Sequence, residues 1–347
     1  MVYWVECPVL NPKDGSLTTT LVPMVMPHEL LFLLWHMSQP LFKKVMGCSG
    51  LERFWKLFGE GAEQHPHFQG TRCEYIIPFR LWGDDSAHSR TDSFEAVTMT
   101  SAVHFGVSHW VSRLLLAMVS LKNAVKQTHQ RLYSYLVWSF TLCSTGKMPA
   151  EDLNGNTWAA RGQDGDAWRA SVAGLDICGD YTALFWELSG DLKWQKEALD
   201  LPYNYSKAEC CGICTAVSID TTNDGNLECS CLNFDCEAEM YHTQNLRTQA
   251  DLILWFTSRG LPVPALIGAP GFDIQRTVVL DLQHCHALGL CHRCCGNLIV
   301  FLAENNYFGT FPSDFDTRMT LRLRRAYSEF CKWTKQHGQQ CFGLTLR

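Results

Sequence analysis

No apolar run in the 347-residue chain approaches the roughly 18 residues that a membrane-spanning helix needs. Runs such as Leu30–Trp35 are far shorter, so the chain is read as a non-membrane protein. The start, MVYWVECPVL, lacks a basic segment ahead of an apolar one, and no signal peptide is read there. G-x-S-x-G, G-x-x-x-x-G-K-[ST] and G-x-G-x-x-G are also missing, which disfavours a serine hydrolase, a P-loop ATPase and a Rossmann dehydrogenase. No local signature singles out a Cys–His protease pair. Charged residues are few, at 18%, whereas hydrophobic residues make up 46%. That balance supports a buried core and excludes a disordered or collagen-like chain. The length passes the roughly 250–300 residues at which a single core stops growing, so one decorated α/β domain and two smaller domains both fit.

Cysteine, by contrast, is abundant. There are 17, an odd number, gathered at 210, 211, 214, 229, 231 and 236 and again at 285, 291, 294 and 295. A secreted disulfide framework is usually short and even-numbered. Clustered thiols and 13 histidines in a long chain without an export signal read instead as intracellular, reduced and able to bind metal. The net charge of −6 is unevenly spread. Between Thr317 and Arg347 seven basic residues, among them Arg322, Arg324 and Arg325, oppose Glu329 alone, which leaves −12 on the first 316 residues. A nucleic-acid binder usually presents a basic face. Here the basic tail is the candidate phosphate contact, with a solvated helix end as the plain alternative.

Along the chain, residues 1–22 read as a loop with weak strand character. Leu31, Leu34 and Trp35 at helical spacing, with His28 and Glu29 in the first turn, predict a helix over 27–46, and a shorter one follows at 51–58. The polar stretch 59–70 reads as a loop. Strands are predicted at 74–82, ended by Gly83-Asp84-Asp85, and at 94–103, while 109–119 fits a strand or a helix. A long helix over 121–143 carries an apolar stripe on Leu132, Tyr135, Leu136, Val137 and Phe140. The Gly-, Asp- and Asn-rich stretch 147–176 reads as a loop. A strand at 181–188 ends at Ser189-Gly190-Asp191, a turn-rich cysteine segment follows at 210–236, and short apolar runs occupy 252–256 and 264–267. Residues 278–303 read as a strand entering a helix or as one long helix, and 316–337 as a basic helix.

Three constellations carry chemistry. Asp84 (or Asp85) and Asp191 each follow an apolar strand and a glycine. Ligands of open α/β sheets sit beyond the carboxyl ends of the strands, and two carboxylates brought together there need a cation. Hard oxygen donors suit Mg²⁺ or Mn²⁺, ions that clamp the attacking and leaving oxygens of a phosphodiester. Gly-Asp after a strand is also ordinary turn chemistry. Cys211-Gly-Ile-Cys214 has the spacing for two thiolate ligands of a structural Zn²⁺, the rest coming from Cys229, Cys231 and Cys236 or from a distant pair. The same spacing serves thiol redox proteins, and buried free thiols are the plain reading. Asp281 and His284 stand at i and i+3, so on a helix they share a face and can meet one metal or one phosphate.

The order strand–Gly–Asp84, strand–Asp191, Cys211-x-x-Cys214, Asp281-x-x-His284 resembles the catalytic region of cut-and-paste DNA transposases, especially the plant-type CACTA group. The blocks VPMVMPHELL, IPFRLWGDD, SGDLKWQKEALDLPYNY, CCGIC and DLQHCHALGLCHRCCGN are similar to those of mobile-element-derived proteins of dinoflagellate algae. The resemblance spans about residues 20–300 and rests on order and spacing, not on any one motif. It implies an α/β, ribonuclease-H-like mixed sheet of about five strands with flanking helices and a Cys-rich insertion over about 205–300. That domain would fill 71–347, truncated at its carboxyl end, behind a helical region at 1–70.

The implied activity is a transposase-like polynucleotidyl transferase or nuclease acting on DNA in the nucleus. Asp84 and Asp191, with Asp85 as the alternative to Asp84, would hold Mg²⁺ or Mn²⁺. Cys211, Cys214, Asp281 and His284 would be structural, around Zn²⁺, and Arg322, Arg324 and Arg325 would meet phosphates. The pattern departs from the family at Gln283, where Met is expected, and at Arg293, where a downstream His would fall. The final acid has no matching motif, which leaves Glu304 and Glu329 as the available carboxylates. That gap and the acidic body favour, as the alternative, a catalytically inactive, zinc-stabilised interaction protein, and more weakly a thiol redox protein built on Cys211 and Cys214. Oligomeric state and protein partners do not follow from the sequence.

Overall fold

The computed structural model describes residues 2–58, 72–87, 93–103, 112–201, 246–279 and 292–336, together with 212, 214, 218–220 and 227–229. The chain divides into two compact units, Met1–Leu280 and Asp281–Arg347.

The first unit is built on a sheet of β1 (Tyr3–Leu10), β2 (Leu17–Met24), β3 (Ile76–Ala87), β4 (Ser93–Ser101), β5 (Leu114–Ser120) and β6 (Thr182–Gly190). Their order is β1-β2-β5-β4-β3-β6, and every neighbouring pair is antiparallel except β3 with β6. The expected α/β mixed sheet is therefore present, with six strands in place of about five. The sixth arises because residues 1–22 are not a loop. In β1, Tyr3, Val5 and Cys7 turn inward while Trp4 and Glu6 face out, and the apolar Trp4 hides that alternation. The second strand is exposed from Leu17 to Leu21 and alternates only at its end, where Val22 and Met24 turn inward.

The helix expected over 27–46 is two helices, α1 (Pro27–Met37) and α2 (Gln39–Val45). Ser38 takes an extended backbone and accepts the Leu41 N–H at 3.3 Å, and Pro40, which has no N–H to give α1, sits in the first turn of α2. The segment Leu51–Phe58 forms α3, and Lys126–Thr145 forms α4, which begins later than the apolar pattern suggested.

On one face of the sheet α4 lays Phe140 against Phe185, stacked at 5.4 Å between centroids, and near Phe79 at 6.1 Å. Trp186 instead meets Trp55 of α3 at 4.8 Å, and the Trp55 indole N–H is given to Ile76 O at 2.8 Å. Consecutive strand residues face opposite ways, and a bulge follows here. Phe79 pairs with Phe185 but Arg80 pairs with Glu187, so Trp186 is the extra residue of β6.

The stretch 147–176 is not featureless. It contains α5 (Trp158–Arg161) and α6 (Asp166–Val172), which bring Arg169 into the core. Arg169 is 1% exposed, gives its Nε to Glu29 at 2.5 Å and its Nη1 to Asp166 at 2.9 Å, and so neutralises two carboxylates that burial would otherwise penalise. Beyond β6 come α7 (Leu192–Ala198), a ribbon of β7 (Ser218–Asp220) and β8 (Leu227–Cys229), α8 (Gln249–Ser258) and α9 (Ile274–Thr277). After α9, Val278 bridges Leu188 in parallel and the Val279 N–H reaches Leu188 O at 3.3 Å, so the chain begins to extend along the free edge of β6.

The second unit holds α10 (His292–Glu304) and α11 (Phe315–Gln336). Of the span 278–303, read as a strand entering a helix or as one long helix, residues 280–291 lie outside the described residues; Val278 forms an isolated bridge and 292–303 are helical. Arg322 is 5% exposed. It donates to Ala303 O at 2.9 Å, to Gly309 O at 3.0 Å and to the Asn306 side chain, and so closes the turn between the two helices.

Candidate active site

The parallel pairing of β3 with β6 ends at Gly83 opposite Gly190. The next residues are Asp84 and Asp191, both half-buried. Asp84 is not at a strand end, as the Gly-Asp-Asp turn signal suggested. The strand β3 runs on to Ala87 against β4, with Asp84 opposite Ala96 and Asp85 opposite Glu95. What stops at Gly83 is only the pairing with β6. Both glycines are required. A Cβ at 83 would lie 1.9 Å from the Trp194 indole, and one at 190, where φ is +150°, would lie 2.7 Å from Gly83 O and 2.8 Å from Trp194. The indole of Trp194 on α7 thus rests on the last β3–β6 pair, Gly83 and Gly190. Asp191 caps the same helix, accepting the Trp194 N–H on Oδ1 at 2.6 Å.

Trp194 is also held from the other side. Its indole N–H donates to Oε1 of Glu95 at 2.9 Å, the Tyr133 hydroxyl donates to the same oxygen at 2.8 Å, and His129 Nδ1 lies 2.9 Å from Oε2. Glu95 is 3% exposed. Burial pushes its carboxyl up, but the hydrogen bonds from His129, Trp194 and Tyr133 and the charge of His129 outweigh that and hold it below the usual range. Burial likewise pushes His129 down, and Glu95, then Glu197 and Asp85, overcome it and raise the imidazole. A cavity of about 280 Å³ lined by Glu95, His129, Tyr133 and Glu197 lies beside this cluster. Sequence reading missed it, because its members come from β4, α4 and α7. One signal was available: in SFEAVTMTS, Glu95 shares the inward parity of Val97 and Met99, and an acid at such a position needs donors.

Asp85 is paired with Lys193 Nζ at 2.5 Å. Cys211, Asp281 and His284 lie outside the described residues, so the proposed zinc set is represented by Cys214 alone. That residue is buried, bridged to Leu246, and its carbonyl accepts Arg247 Nε at 3.0 Å. Glu304 and Glu329 are exposed in the second unit, with Glu329 4.0 Å from Arg325. Arg322 is corrected as a phosphate contact: its guanidinium is buried and spent on the α10–α11 turn, whereas Arg324 and Arg325 are exposed.

Among the described residues no three His, Cys, Asp or Glu side chains converge to hold a metal. Mg²⁺, however, is commonly held by one or two carboxylates with waters and substrate oxygens completing its shell. In kind and number, Asp84 and Asp191 fit that requirement. Among the described residues no helix is long and apolar enough to cross a membrane. Comparison with protein-family models, with curated proteins and with solved structures returns no match.

Proposed function

We propose that the first unit is a ribonuclease-H-like, transposase-type domain acting on DNA phosphodiesters, with Asp84 and Asp191 as its divalent-metal pair. One observation carries this reading: the two Gly-Asp steps stand side by side on adjacent parallel strands, Gly83 opposite Gly190. Counted from β3, the chain makes the meander β3-β4-β5, crosses through α4 and returns as β6 beside β3. The first acid is then on the first strand and the second follows the fourth, which is the placement the transposase resemblance implies. Asp84 is taken as the first acid because it directly follows Gly83, where the pairing with β6 stops, as Asp191 directly follows Gly190. Mg²⁺ or Mn²⁺ held by Asp84 and Asp191 would supply Lewis-acid polarisation of the phosphodiester and an activated oxygen nucleophile. The protein's own contribution is placement. Strand pairing fixes the two backbones, and the cap of α7 fixes one oxygen of Asp191.

The test is Mn²⁺-dependent nicking of supercoiled DNA by the wild type, Asp84→Asn and Asp191→Asn. Asn is chosen at 191 because it still caps a helix. Nicking by the wild type that is lost in both variants, at unchanged thermal midpoints, supports the pair. Nicking that persists in either variant refutes it.

A second reading, a catalytically inactive interaction domain, is favoured by Lys193. Its ammonium already places a positive charge on Asp85. On that reading the wild type neither nicks DNA nor binds Mn²⁺.

A further inference from the structure

We propose that Glu95, locked by His129, is the positioning residue of this site: it holds Trp194 over Gly83 and Gly190 and thereby sets where Asp84 and Asp191 stand. The proposal rests on the reading of the acid pair given above and adds to it how the pair is held and when.

The geometry converges on Trp194. Its ring covers both glycines, its backbone N–H is taken by Asp191, and its indole N–H is taken by Glu95. A shift of this one side chain therefore moves the last β3–β6 pair and the cap of α7 together. Among the described residues the indole nitrogen gives its hydrogen to Glu95, which while ionised can act only as an acceptor. Three donors converge on its two oxygens, from Trp194, Tyr133 and His129. Of these donors only the imidazole changes charge near neutral pH.

The charged groups around His129 come from every neighbouring element. Glu95 lies on β4, Asp85 on β3 and Glu197 on α7, while Tyr133 is one turn along α4. Lys126 and Asp200 also line the cavity, paired with each other at 2.5 Å, and Asp85 is paired with Lys193. Carboxylates predominate, which accounts for the raised imidazole. Its side chain keeps about 20% exposure, so a proton can reach it from solvent.

The sign follows from both partners. His129 is raised when folded, so its share of the brace is complete below its ordinary value of 6.5 and fades as pH rises through the raised value. Glu95 is lowered when folded, so its share is complete above 4.5 and is lost only as pH falls through the lowered value. The brace is strongest between those limits and loosens toward alkaline pH.

The experiment is ¹⁵N NMR of the full chain, following solvent exchange of the Trp194 indole N–H, assigned with Trp194→Phe. In the wild type, exchange corrected for its intrinsic pH dependence should rise about tenfold or more between pH 6 and pH 9, the equivalent of weakening one charge-assisted hydrogen bond. His129→Gln, neutral throughout, should abolish the step. Glu95→Gln should exchange fast at every pH, and Glu95→Asp should restore part of the protection. A flat corrected profile in the wild type, or a step that survives in His129→Gln, overturns the proposal. A Glu95→Gln chain that does not fold leaves the His129→Gln comparison to decide. The readout needs neither DNA nor metal. A step without nicking sinks only the nuclease reading, and nicking without a step sinks only this one.

Discussion

Gly83→Ala is the smallest change that tests how α7 is seated on the sheet. The new Cβ would lie 1.9 Å from one atom of the Trp194 ring and 2.2 Å from two more. Trp194 cannot yield as a flexible surface chain would, because it is 2% exposed and tied at both its nitrogens. The ring must leave its place. Overpacking of this kind costs about 1–3 kcal/mol, and losing a hydrogen bond to a buried carboxylate costs about 1.5–3 kcal/mol. One movement relieves the first as it incurs the second, so the expected loss is about 3 kcal/mol, short of the sum.

Guanidinium denaturation of the full chain, read as a midpoint shift at constant m, measures it. Gly268→Ala is the control, since its Cβ would meet nothing within 4 Å. Trp194→Ala alone should cost about 3–5 kcal/mol through the cavity it leaves. In that background Gly83→Ala should become nearly neutral, a coupling of about 2–3 kcal/mol. A Gly83→Ala loss under about 0.5 kcal/mol, or one equal in both backgrounds, refutes the seating.

Three further outcomes are expected. His28 is pushed down to about 3 by burial and by the Arg169 charge, with its Nδ1 2.8 Å from Ser139 Oγ. The unfolded chain then takes up that proton first, so stability should fall below about pH 6.5 by about 1.4 kcal/mol per pH unit, and His28→Gln should flatten that limb in pH-dependent denaturation. Arg169→Ala leaves Glu29 and Asp166 buried without their shared cation and should cost about 3–5 kcal/mol in the same assay; a loss under about 1 kcal/mol would count against the triad. Arg322→Ala should speed amide exchange across the α10–α11 turn. The Arg324→Gln, Arg325→Gln double variant should leave that exchange unchanged while lowering the salt slope of DNA binding by about 0.9 per charge removed.

Much of the scaffold was legible because strong local pattern and tertiary demand agree. The strands β3, β4 and β6 are apolar runs closed by turn residues, and α3 and α11 keep a helical period. Where only tertiary context decides, the pattern misleads. Thr18, Thr19 and Thr20 sit in the half of β2 that is exposed on every residue, and the Gly- and Asp-rich stretch around Arg169 packs through a buried ion triad that has no periodic signature. The acid pair was visible as two Gly-Asp steps. That Asp84 lies inside a strand, and that Lys193 engages its neighbour, depends on pairing with β4 and on the docking of α7. Glu95 and His129 are 34 residues apart in sequence and meet Trp194 a further 65 residues on, beyond the reach of any local motif.

The bulge at Trp186 gives β6 one residue more than the register with β3 uses, and this sets which changes of chain length the molecule can absorb. Removing Trp186 would forfeit the contact with Trp55 yet leave the later pairs, from Arg80 with Glu187 to Gly83 with Gly190, in their present alignment. Removing any residue between Glu187 and Gly190 would draw Asp191 back one place and turn it to the other side of the sheet. The strand holds one residue of slack at Trp186 and none from Glu187 to Gly190, so a single deletion at the bulge leaves the carboxylate in place while one beyond it does not.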